Sequence, residues 1–112
     1  MTLRNLDIQQ GASYELSFYV YQAGTASTIV GDLTGFTVTG KARSSAESST
    51  VAWTFTGTVT TPASALCKIS LTAAETAALT AGAYLYDVEV YSGTTTYRPL
   101  QGVAFVSREL TR

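Results

Sequence analysis

Asp87 and Glu89 stand two residues apart, the closest this chain comes to an acid–base pair. Two carboxyl groups roughly 5–9 Å apart can hydrolyse a glycosidic bond, one as the acid and the other as nucleophile or base. On an extended segment that spacing puts both on one face. Arg98 and Lys68 are expected as their neighbours there. The plainer reading is a solvated strand face, since one strand rarely supplies both groups of a catalytic cleft.

The other reactive residue types are sparse. The chain has no His, so neither a Ser–His–Asp triad nor a Cys–His pair can form. Cys67 is the single cysteine, which excludes an internal disulfide and a cysteine zinc site. It alternates with Ile69 and Leu71, so it reads as a small buried hydrophobe and not as a nucleophile. Asp7, Asp32, Asp87 and Glu89 lack the spacing of a calcium loop. The segment Gly31-Asp32-Leu33-Thr34-Gly35 lacks the Lys and the glycine spacing of a phosphate loop. It reads as a turn with Leu33 tucked inward. No catalytic, cofactor or metal site is expected, and the chain is not expected to be an enzyme. Seven Tyr are many for 112 residues. Tyr19, Tyr21 and Tyr91 are expected to be exposed, a candidate contact surface for protein or carbohydrate. Tyr is also simply a strand-favouring residue.

Charged residues make up 13% of the chain and the net charge is −1, so the basic stripe of a nucleic-acid binder is missing. A polybasic membrane surface is excluded on the same ground. No apolar run approaches the ~20 residues that span a bilayer. Residues 1–7 contain no apolar signal core, which predicts synthesis and folding in a cytoplasm. No linker or charge block divides the sequence, so residues 1–112 are expected to form one domain.

What must position these residues is a series of short alternating segments broken by Gly, Pro and Ser/Thr clusters. Asn5 to Gln9, Tyr14 to Tyr21, Phe36 to Arg43, Val51 to Thr56 and Leu66 to Leu71 read as strands, with a brief edge at Thr28 to Val30 and a polar loop over Ser44 to Ser49. Thr72-Ala73-Ala74-Glu75 is a capping box. It predicts one short helix near residues 73–79, stopped by Gly82, with Thr76 an unimportant mid-helix position. Two long strands, 83–91 and 96–106, flank a two-residue turn at Gly93-Thr94. That register sets Glu89 opposite Arg98 and Tyr84 opposite Val103. Period two then predicts a core of Leu16, Phe18, Val20, Phe36, Val38, Trp53, Phe55, Ile69, Leu71, Tyr84, Val88, Val90, Val103 and Phe105. The architecture expected is all-β, a two-sheet antiparallel β-sandwich of about 7–8 strands. Trp53 suits an immunoglobulin-like core, but the cysteine pair of that family is absent.

Certain segments also share an order and spacing with a known family. They are Ile8-Gln9-Gln10-Gly11, Asp32-Leu33-Thr34-Gly35-Phe36, the run from Ile69 to Thr76, the run from Leu79 to Val88, and the run from Leu100 to Val106. Across nearly its whole length the chain resembles small β-sandwich domains of tailed-bacteriophage virion proteins. These domains occur at the N-termini of baseplate upper proteins and fibre-attachment proteins, and as free-standing short proteins. The resemblance implies a structural role without catalysis, in the tail, neck or baseplate. It implies other phage virion proteins as partners, and many copies or a homo-oligomer in a symmetric assembly. It implies no nucleic-acid or membrane partner, and a location in the virion after synthesis in the host bacterial cytoplasm. The end at Arg112, soon after the last strand, points to a small adaptor or decorating subunit and away from direct receptor binding. A capsid-decorating protein and a carbohydrate- or receptor-binding module are the alternatives. An aromatic trio around a concave face would mark the sugar binder. Apolar patches on two opposite sides would mark the ring subunit.

Overall fold

The computed structural model describes residues 2–22, 28–45 and 50–108. Residues 46–49 of the expected polar loop lie outside them, as do residues 23–27. Eight strands and one short helix follow in order: β1 (Thr2–Leu3), β2 (Leu6–Gln9), β3 (Tyr14–Tyr19), β4 (Thr37–Arg43), β5 (Trp53–Thr61), β6 (Leu66–Leu71), α1 (Ala73–Ala77), β7 (Gly82–Ser92) and β8 (Thr95–Ser107). The protein is all-β with one short helix, as the periodicity predicts. The expected edge near Thr28 is a single bridge between Tyr21 and Ile29.

The two layers are parts of one hydrogen-bonded path, β1-β8-β7-β4-β5-β6-β3, with β2 also beside β8. The link is β5. Its first half pairs with β4, Trp53 opposite Ala42 and Phe55 opposite Gly40. Its second half pairs with β6, from Thr56 opposite Ser70 to Thr61 opposite Leu66. Gly57 sits at the crossing, where an added Cβ would collide with the Val38 carbonyl of β4. The fold is therefore closer to a flattened barrel than to two independent sheets. It is also not wholly antiparallel, because β1 and β2 both run parallel to β8. Their pairings, Thr2 with Leu100 and Leu6 with Ala104, keep one offset, so they act as a single strand interrupted at Arg4 and Asn5. At the interruption the Arg4 backbone folds over Gly102, where any side chain would strike the Arg4 carbonyl. That carbonyl accepts a hydrogen bond from the buried Tyr86 hydroxyl at 2.6 Å.

The final hairpin corrects the expected register. The turn at Gly93-Thr94 holds, with Ser92 opposite Thr95 and Val90 opposite Tyr97. A bulge follows, because Val88 faces Leu100 and not Pro99. Glu89 thus faces two residues, Arg98 and Pro99. Proline has no N–H to give a ladder, and a bulge is where a strand tolerates one. Beyond it every residue of β8 changes face. Leu100, Ala104 and Val106 are buried, while Phe105, expected in the core, is 41% exposed. Tyr84 faces Ala104 instead of Val103, and Val103 turns outward, half-buried.

The other expected core positions are buried or packed against the core, joined by Leu6, Ile8, Leu33 and Tyr86. Trp53 is at the centre of the aromatic packing, edge-on to Tyr84 at 4.7 Å and to Phe55 at 5.9 Å.

The capping box forms as predicted. The Glu75 N–H donates to the Thr72 hydroxyl at 3.1 Å, and the Thr72 N–H donates to the Glu75 carboxylate at 2.8 Å. The helix ends at Ala77 with Ala78 as its cap, and Gly82 opens β7 instead of stopping it. Thr76 is not an unimportant position. It is fully buried, and its hydroxyl donates to the carbonyls of Ala12 at 2.8 Å and Ala73 at 3.1 Å. A helix this short cannot stand by itself, and this bond ties it to the β2–β3 connection.

Two outcomes are expected from urea unfolding. Gly57→Ala should lower stability by about 1–3 kcal/mol or more, since the obstructing atom is backbone; an unchanged midpoint would show that β5 does not press on β4. Thr76→Ala should cost roughly 0.5–1.5 kcal/mol by removing the hydrogen bond of a fully buried hydroxyl, a loss comparable to the ~0.5–2 kcal/mol of Thr72→Ala.

Candidate interaction surfaces

The ladder positions fix which residues share the outer face of the β8-β7-β4 layer. Phe105 faces Ala83 on one side and Asp7 on the other. Val103 faces Leu85, and Leu85 faces Arg43. Gln101 faces Asp87, which faces Lys41, with Leu3 beside Gln101. Leu3, Leu85 and Phe105 are 76%, 40% and 41% exposed, a high solvent share for three large apolar side chains on one face. A groove of about 450 Å³ runs among Leu3, Leu85, Val103, Lys41, Arg43 and Asp87.

The charges divide by position. Glu89 pairs with Arg98 at 3.3 Å, as expected, although the two meet at the bulge and not across a regular ladder. Lys68 is not their neighbour. It lies on β6 and pairs with Glu15 of β3 at 3.6 Å. Asp87 has Lys41 opposite it on the ladder and Glu89 has Arg98, so the two carboxylates face different cations. Among the described residues no three of Cys, Asp and Glu gather as metal ligands. Among the described residues no helix is long and apolar enough to cross a membrane.

The three candidate tyrosines do not converge. Tyr19 and Tyr21 adjoin, ring centroids 6.2 Å apart and tilted by 43°. Tyr19 is 46% exposed on the outside of β3, in the second layer. Tyr91 is exposed on β7, in the first layer, between Thr37 and Thr96. The apolar residues Leu3, Leu85, Val103 and Phe105 escape sequence reasoning. Pro99 within a strand pattern was the available signal for Val103 and Phe105. Nothing local announces that β1 returns parallel to β8.

The Asp32 turn forms as read. The Thr34 N–H and hydroxyl donate to the Asp32 carboxylate at 2.9 and 2.6 Å and hold its pKa below the usual carboxylate range. Leu33 is 1% exposed. Cys67 is buried, and burial pushes its thiol up to about 11. Burial pushes the Tyr86 hydroxyl up to about 12, with a smaller contribution from Tyr14.

No protein-family model matches the chain, and no curated protein is similar to it.

Both raised groups are neutral acids, so the folded state keeps its protons after the unfolded state has lost them. Stability is full below pH 9, the ordinary thiol value, and falls as pH rises through about 11 and 12. Cys67→Ala should remove the earlier part of that fall in a series of unfolding midpoints. A double-mutant cycle on Glu89→Gln and Arg98→Gln should give a coupling of about 0.2–1 kcal/mol that fades with salt. Zero coupling at low salt would remove the ion pair from the account of the bulge.

Proposed function

We propose that the chain is a non-enzymatic assembly subunit of a tailed-bacteriophage particle, an adaptor or fibre-attachment piece of the tail, neck or baseplate. The observation that carries the docking role is the presence of exposed apolar surface on two opposite layers. One is the Leu3, Leu85 and Phe105 face of the first layer, the other the Tyr19 side of the second. Two different patches on opposite sides let one subunit bridge two neighbours in a symmetric particle. A surface poor in charge suits lasting contact, since charge is depleted at the centre of interfaces. The sequence resemblance supplies the particle. A rigid scaffold is what such a role needs, and the shared strand β5 ties both layers to one core.

A sugar-binding module is less well served, because Tyr19 and Tyr21 are tilted and Tyr91 stands in the other layer. The test is mass spectrometry of purified particles from the host strain that carries this chain, followed by immunogold electron microscopy. The chain should be present in many copies per particle, with label at the tail or neck. Label over the head would replace the adaptor reading with a capsid-decorating one. Absence from the particles would overturn the proposal.

A further inference from the structure

We infer that the groove on the outer face of β7 and β8 takes an extended peptide segment of a partner protein, in which a carboxylate side chain is flanked by apolar residues. The inference rests on the docking role proposed above and names the chemistry of what docks. Three observations lead to it.

Leu3, Leu85 and Val103 give the groove apolar wall beside Lys41, Arg43, Asp87 and Gln101, and Leu3 is the most exposed large hydrophobic residue described. Among the described residues the groove is lined by two cations and one carboxylate: Lys41 faces Asp87 on the β4–β7 ladder, whereas Arg43 faces Leu85. The Arg43 Nε is buried and has no hydrogen-bond partner among the described residues. Buried donors are nearly always paired, and the planar guanidinium is shaped to hold a carboxylate by two parallel bonds. Finally, β1 is the last strand on the hydrogen-bonded path and only two residues long, so an extended segment can lie along its outer side. A volume of about 450 Å³ is within the range of sites that enclose a ligand. A second copy of the chain fits less well. A twofold contact centred here would bring two Arg43 side chains near each other.

The test follows the Arg43 Nε–H and the amides of Leu85 and Val103 by NMR. The probes are the peptide acetyl-Val-Leu-Glu-Leu-Val-amide, its Gln counterpart, and sodium acetate. The Glu peptide should move all three signals, and the Gln peptide should bind about tenfold more weakly, as loss of a charge-assisted bond requires. Arg43→Gln should abolish the difference between the two peptides, with amide signals elsewhere unchanged. Equal binding of both peptides, no response, a response centred on Tyr19, or an acetate response as large as the peptide's would each overturn the inference. So would sedimentation showing that the groove closes against a second copy. If the chain is found in particles and the peptides fail, the groove inference falls by itself. If the peptides bind and the chain is absent from particles, the particle reading falls and the groove stands.

Discussion

At Gly57 the chain has no room for a side chain, because β5 there presses on the Val38 backbone of β4 while still pairing with Ile69 of β6. One strand thereby serves two layers. The pairing of Trp53 and Phe55 with β4 holds the layer of β7 and β8, and the pairing that begins at Thr56 holds β6 and β3. If the crossing moved by a residue, the side-chain alternation of one half of β5 would point the wrong way. Trp53 and Phe55 would then leave the core they share with Tyr84 and Tyr86. The inner faces of both layers contribute to one cluster, from Val88 and Leu100 on one side to Phe18, Cys67 and Ile69 on the other.

A second contact fixes the N-terminal strand along β8. The N-terminal strand is broken at Arg4, and the break is stabilised and not simply tolerated. Gly102 leaves space for the Arg4 backbone, the Arg4 N–H donates to the Gln101 carbonyl at 2.9 Å, and Tyr86 donates to the Arg4 carbonyl. Past the break, Leu6 and Ile8 enter the core at 2% and 0% exposure. Before it, Leu3 is left outside beside Gln101. The same local arrangement that seals the core thus delivers an apolar residue to the surface groove. At the other end of β2, Thr76 binds the Ala12 carbonyl and anchors the helix over the connection to β3.

The surface carries few charges, and those near the groove are mostly matched. Asp87 has Lys41 across the ladder, and Glu89 has Arg98 at the bulge. Arg43 faces Leu85, and its buried Nε has no hydrogen-bond partner among the described residues. A subunit that docks through such a face gains burial of Leu3, Leu85 and Phe105, with direction supplied by a single charged contact. Cys67 is enclosed and its thiol pKa raised, and the Asp32 carboxylate accepts two hydrogen bonds from Thr34.

Short-range chemistry was legible in the residues themselves. The alternation of Phe18 with Tyr19, the capping box at Thr72 and Glu75, the Asp32 turn, the hairpin turn at Gly93-Thr94 and the burial of Cys67 each depend on neighbours within a few positions, and each formed. So did the ion pair of Glu89 with Arg98, because it lies close to the turn that sets it. The candidate surface was far less legible. Tyr19 and Tyr91 are exposed as expected and Tyr21 is half-buried, yet the placement of Tyr19 and Tyr91 in different layers follows from strand order, which no local pattern encodes. The face of Phe105 turned on one extra residue at Arg98 and Pro99, since period two makes a single bulge reverse everything beyond it. The role of Thr76 turned on a carbonyl 64 positions away. The parallel return of β1 beside β8, and with it the groove, joins residues almost a hundred positions apart. The sequence by itself determined the class of structure and its turns, because those are governed by side-chain periodicity and local hydrogen bonds. Tertiary structure alone decided which apolar residues remained at the surface, because that depends on which strand passes beside which.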